Sequence, residues 1–125
     1  MYVRDNTTLP QSSIPGIQHT TLACADDGLK ELSVWRQTVD TGQSTPPHRH
    51  ACEEVVMVQS GRGELHIGGE VHRFGPDATL VIPAEVDHQI VNSGDEPLRL
   101  LAAFSATPVL TVCPDGQPLP LPWRS

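Results

Sequence analysis

The chain has 125 residues, room for one domain, and eight Lys and Arg against fifteen Asp and Glu give it a formal charge of -7. That balance excludes the basic surface with which nucleic-acid binders displace counterions, and no polybasic stretch is present to hold an anionic membrane. The longest apolar runs, such as Leu100 to Phe104, are far short of a membrane span, and Met1 to Asn6 has no basic-then-apolar leader, so the expected location is cytoplasmic.

Twelve prolines and ten glycines punctuate the chain, which argues against long helices. Residues 1–16 read as an irregular polar arm. Ile17 to Cys24 reads as a first strand, closed by the turn Ala25-Asp26-Asp27-Gly28. Leu29 to Val39 reads as a longer strand, in which Leu32, Val34 and Thr38 alternate with Glu31, Ser33, Trp35 and Gln37. Pro46-Pro47 fixes an extended approach to the next segment. Glu54 to Gln59 is β-prone, and Glu64–Ile67 and Glu70–Phe74 flank Gly68-Gly69 as a hairpin. Ala78–Ile82, Asp87–Val91, Leu98–Phe104 and Val109–Cys113 complete the set. Short strands at regular spacing with turn signals between them predict an all-β fold, an antiparallel sandwich or barrel over residues 17–113. The proline-rich tail, residues 114–125, carries apolar side chains that predict packing back onto that body. Cys24, Cys52 and Cys113 form no disulfide framework and read as reduced thiols, with a Cys24–Cys113 bridge left open.

The chemistry concentrates in His48-Arg49-His50-Ala51-Cys52-Glu53-Glu54 and at His88. Alternate residues of a strand share a face, so His48 and His50 point the same way. Three imidazoles and a carboxylate make a divalent-metal site with room for a water or substrate. Imidazole suits zinc, copper, iron and nickel, and the carboxylate adds preference for harder ions such as manganese. A bare His-x-His pair is as often surface as ligand; the spacing of the whole region is what raises it.

Gly42-x5-His48-x-His50-x3-Glu54-x6-Gly61 matches the first cupin motif at every fixed position, and Pro83-x4-His88-x3-Asn92 resembles the second. In the second, Gly75 lies two residues earlier than usual and Glu85 replaces the turn glycine. The resemblance implies a single-domain cupin β-barrel, jelly-roll-like with two antiparallel sheets, and selects Glu54 over Glu53 as the ligand. It goes further. Val3-Arg4-Asp5-Asn6, Pro10-Gln11-Ser12-Ser13, Leu29 to Thr38, Thr45-Pro46-Pro47-His48-Arg49-His50-Ala51-Cys52-Glu53-Glu54-Val55, His88 to Ser93 and Pro122-Trp123 are similar to the plant auxin-binding proteins of the endoplasmic reticulum. That resemblance implies a homodimer with zinc on His48, His50, Glu54 and His88, and manganese or iron as alternatives. It also implies a small, aromatic carboxylate on the metal, with Gln37, Thr45, Pro46 and Trp123 lining the ring pocket. Val56 and Leu121 stand where the plant proteins carry aromatic pocket residues. The chain ends Pro-Trp-Arg-Ser without a retention signal, and the cysteines that form the plant disulfide are absent, which implies a cytoplasmic, bacterial-type relative.

The remaining candidates have plainer readings. Cys52 neighbours a ligand set that is complete without it. His19, His66 and His72 read as strand or surface residues. Trp35 reads as core. Glu85 reads either as a solvated turn residue or, if the protein is a metal-dependent dioxygenase, isomerase or lyase, as an acid–base group beside His88.

Overall fold

The computed structural model describes residues 2–125; Met1, the first residue of the expected arm, lies outside them. The strands are β1 (Ser12–Ile14), β2 (Ile17–Ala23), β3 (Ser33–Val39), β4 (Arg49–His50), β5 (Glu54–Ser60), β6 (Gly63–Ile67), β7 (Glu70–Phe74), β8 (Thr79–Ile82), β9 (His88–Asn92), β10 (Leu98–Phe104) and β11 (Thr111–Val112). Two short 3-10 turns, Asn6–Thr8 and Ala25–Asp27, are the helical elements among the described residues. No helix of the described residues is long and apolar enough to cross a membrane.

One face of the barrel is a six-stranded antiparallel sheet in the order β1-β2-β3-β10-β5-β8. The other is formed by β7-β6-β9 and, beyond β9, by residues 43–50. These residues pair with β9 through Thr45 N–H to Ile90 C=O and Asn92 N–H to Gln43 C=O, both 2.9 Å. β11 then pairs with β4. The two faces close on one core. The alternation of β5 turns Glu54, Val56 and Val58 inward, that of β10 turns Leu98, Leu100, Ala102 and Phe104 inward, and that of β9 turns His88, Ile90 and Asn92 inward. Full burial of each large apolar side chain contributes about 1.5–3 kcal/mol. The inward rows of β5 and β9 are apolar in the middle and end at one mouth in Glu54 and His88. At the other end of β9, Asn92 ties down the loop that follows. Its Nδ2 donates to Val39 O (3.0 Å) and Glu96 O (2.9 Å), and its Oδ1 accepts from Gly94 N–H (3.0 Å).

Gly61, the last fixed position of the first motif, is required by its surroundings. Its φ is +95°, and an added Cβ would lie 2.9 Å from Leu98 Cα and from Pro97 O.

The structure departs from the sequence reading in four places. Within the expected arm of residues 1–16, Ser12–Ile14 is a strand, with Ile14 opposite Ile17 across Pro15-Gly16. Proline at the second position of that turn and Gly16 at the third, φ +79°, are the turn chemistry that makes it. The strand expected from Leu29 begins only at Ser33, because Gly28 leaves the preceding turn in the left-handed region and Leu29 to Leu32 are exposed. In β3 the buried positions are Ser33, Trp35 and Val39, while Leu32 is exposed and Val34 lies on the opposite side. Apolar residues on both faces blur the alternation there. The last strand shrinks from Val109–Cys113 to Thr111–Val112. All three cysteines are free.

The tail runs back along the barrel. Leu121 and Trp123 pack against the core, Leu119 N–H donates to Thr111 O (3.0 Å), and the Arg124 guanidinium pairs with Asp26.

Candidate metal centre and its cavity

His48, His50, Glu54 and His88 are all buried, and each offers one donor atom within 4.8 Å of the others. They come from three pieces of chain. His50 ends β4 and Glu54 opens β5, with the turn of residues 51–53 between them. His88 opens β9. His48 lies beside it: His48 N–H donates to His88 O (3.0 Å), and His88 N–H donates to His48 O (2.8 Å).

Hydrogen bonding on the far side of each ring fixes which nitrogen faces the centre. His48 Nδ1 lies 2.7 Å from Pro46 O, His50 Nδ1 3.1 Å from Leu110 O and His88 Nδ1 2.9 Å from Val86 O. A carbonyl only accepts, so each Nδ1 carries the proton and each Nε2 presents a lone pair. His50 Nε2 and His88 Nε2 stand 3.6 and 3.3 Å from Glu54 Oε1. Glu54 Oε1 and His88 Nε2 are nonetheless buried without a hydrogen-bond partner among the described residues. Orphaned polar atoms of this kind are costly unless something positive sits between them. Three inward lone pairs and one carboxylate therefore fit a divalent cation.

The electrostatics agree. Burial, reinforced by the neighbouring His88 and His50 rings, pushes His48 down to about 4, and burial also lowers His50. Both are thus in the neutral form that ligation needs. Burial opposes the charged form of His88 too, but the Glu54 carboxylate, the Val86 carbonyl and Asp87 outweigh it and raise its pKa. The Glu54 carboxylate thus offsets at His88 the burial that lowers His48 and His50.

His48, His50 and Glu54 form the polar floor of a cavity of about 40 Å³. Of the residues expected around an organic ligand, Gln37, Thr45, Pro46, Leu121 and Trp123 line this cavity. Val56 does not. It lies one inward step along β5 from Glu54, 1 % exposed, and packs in the core instead. His88 closes the cluster from behind, on the side of Asp87 and Gln89. Sequence reasoning misses Ile14, Ile17, Ile90 and Leu119, which complete the apolar wall, and Trp35, a core residue by that reading, also borders the cavity. Pro15-Gly16 between two isoleucines is the signal that could have found the first two.

Glu85 stands outside the cavity, exposed, with its carboxylate 3.7 Å from Arg49 Nε. Its φ of +66° occupies the left-handed turn position that the usual glycine would fill. Cys52 packs at the core's edge, and burial raises its thiol pKa, so it is not a poised nucleophile. His66 and His72 lie on β6 and β7 beside Glu64 and Glu70.

The family profile described as "Auxin binding protein" matches residues 1–121. The chain belongs to the auxin-binding protein family. This family member is 38% identical to Auxin-binding protein 1 of Arabidopsis thaliana over 120 residues, covering 86% of this chain and 60% of the plant protein. Against Auxin-binding protein T85 of Nicotiana tabacum it is 36% identical over 132 residues, covering 94% and 71%. It thus spans less than two thirds of the Arabidopsis protein. Its fold is that of the cupins. It superposes on the polyketide cyclase RemF of Streptomyces resistomycificus with a TM-score of 0.75 at 22% identity, covering 97% of this chain and 87% of that one. A cupin-2 domain from Rhodospirillum rubrum gives a TM-score of 0.70 at 23% identity, covering 91% and 73%.

Proposed function

We propose that this protein binds a divalent metal ion, zinc by preference, on His48, His50, Glu54 and His88, and through it the carboxylate of a small, apolar, auxin-like acid. The observation that carries the reading is the set of inward Nε2 atoms facing Glu54 at the floor of an apolar cavity. A divalent ion on one carboxylate and three neutral imidazoles keeps a net positive charge. It therefore favours an anionic ligand although the protein as a whole is acidic. Bound there, the metal supplies a Lewis-acidic point of attachment. The side chains around it do the rest: Thr45, Pro46, Leu121 and Trp123 would flank the apolar body and Gln37 would offer its amide. A cavity of about 40 Å³ has room for a few waters only. A bicyclic acid therefore requires the tail side chains Leu119 and Leu121 to give way, with Trp123 held as the flat wall.

The test is elemental analysis of protein purified without added metal, followed by calorimetry with indole, naphthyl and benzoyl acids. The expected result is near-stoichiometric zinc, lost in His50→Ala, and acid binding only in the zinc-loaded form. Zinc-loaded protein that binds none of the acids overturns the reading. Iron or manganese in place of zinc would direct the next assay to oxygen uptake.

We further propose that two copies associate through the outer face of the six-stranded sheet. Cross-strand register places Val34, Ala103, Val55 and Val81 in one outward row, with Leu101 and Met57 in the next. Val81 is 72% exposed. Contiguous apolar side chains of this kind mark association surfaces. Sedimentation of Val81→Lys against wild type tests this, a dimer that survives the substitution counting against it.

A further inference from the structure

We propose that His19 is a positioning residue for the cavity: from behind its wall it fixes the Gln37 carboxamide and the plane of Trp123, and so sets how well an acid fits. This rests on the carboxylate-binding reading above. His19 is 2% exposed and does not line the cavity. Strand register places it directly opposite Gln37, on β2 and β3.

Its hydrogen bonds leave no freedom. The Arg124 carbonyl can only accept, and Thr21 Oγ1 donates to it at 2.6 Å. Having used its one proton, Thr21 Oγ1 must accept from His19 Nε2 at 2.7 Å. The ring proton is therefore on Nε2, and Nδ1 of the neutral ring accepts from Gln37 Nε2 at 2.9 Å. A flipped Gln37 would set its oxygen against that lone pair. Burial supports the neutral ring, holding the His19 pKa at about 3. The same imidazole stacks on Trp123, centroids 3.8 Å apart and planes within 8°, while Trp35 meets it edge-on at 4.9 Å. One side chain thus orients the amide on one wall of the cavity and the indole on another. Through Thr21 it ties both to the backbone of the tail.

The experiment uses the zinc-loaded full chain with indole-3-acetate and naphthalene-1-acetate as probes. Thr21→Val removes the hydroxyl without touching either ring. It is expected to weaken acid binding about tenfold, as loss of one constrained hydrogen bond would, with zinc stoichiometry unchanged. Thr21→Ser, which keeps the hydroxyl, is expected to restore wild-type affinity. Imidazole ¹⁵N shifts are expected to show His19 protonated on Nε2 alone from about pH 8 to about pH 5. A ring protonated on Nδ1, or Thr21→Val binding as tightly as wild type, overturns the proposal. Wild-type protein that binds neither acid overturns the carboxylate reading and this proposal together, an outcome distinct from the insensitivity of Thr21→Val.

Discussion

The floor and the wall of the cavity are built by different means. On the floor, His50 and Glu54, and His88 behind them, sit at the ends of paired strands, and the far nitrogen of each imidazole is held by a backbone carbonyl. On the wall, Leu119, Leu121 and Trp123 come from a tail fastened by Leu119 N–H to Thr111 O, by the Thr21 and Thr107 hydroxyls, and by the exposed Arg124–Asp26 pair. The sheet ladders hold the floor cooperatively. The tail's share of the wall depends on a handful of bonds, several at the surface, where an ion pair contributes little. A protein built this way can keep its metal chemistry constant while the tail alters which organic body fits beside it.

The sharpest way to break that contrast is at the floor. Glu54→Gln removes the one anionic donor and leaves three buried imidazoles facing a neutral amide. Metal affinity is expected to fall by more than about a hundredfold, beyond what loss of an outer partner costs. Competition titration against a chelator measures it. The thermal midpoint with excess zinc should then drop to that of metal-free protein.

A cut at the wall should leave the floor intact. Trp123→Ala is expected to retain stoichiometric zinc and to bind acetate as wild type does. Aromatic acids should lose about tenfold in affinity with the loss of one stacked ring, read by calorimetry. Equal losses for acetate and the aromatic acids would mean that floor and wall are not separable.

The support behind the wall is read through folding rather than binding, by the effect of acid. The folded protein holds His19 at about 3, whereas the unfolded chain takes up that proton near 6.5. Below pH 6.5 the unfolded state therefore binds more protons, and stability falls as pH drops toward 3. For this one ring the slope is up to about 1.4 kcal/mol per pH unit. His19→Phe should remove that component, seen as a shallower pH dependence of urea unfolding in chelator between pH 6.5 and 5. The least effect is expected at the turn before His88. Glu85→Gly should raise stability by about 1 kcal/mol or less, since glycine adopts the left-handed conformation without strain. Metal content should not change.

The floor was legible in the sequence because its spacing is local. His48, His50 and Glu54 fall within seven consecutive residues, and His88 follows a proline at a fixed interval. The support behind the wall was not. His19 meets Gln37 only through the register of β2 and β3, and Thr21 meets a carbonyl 103 residues away. Neither register nor tail path is written in residue type, so His19 read as an ordinary strand residue. The facing of β3 was obscured for another reason. Val34 belongs to an outward apolar row, so hydrophobicity there does not distinguish inside from outside. The resemblance to the plant proteins places Val56 in the ligand pocket, where they carry an aromatic ring. With two γ-methyls instead of a ring, it packs wholly within the core.

The paired backbones of His48 and His88 carry one more consequence. Each donates its amide proton to the other's carbonyl, so neither proton can exchange with solvent until that bridge opens. Opening it parts two of the four donors. The exchange lifetimes of these two amides should therefore lengthen with cation occupancy. Farther along the same seam, the amide of Thr45, bonded to Ile90 O, provides an internal clock against which the change can be timed.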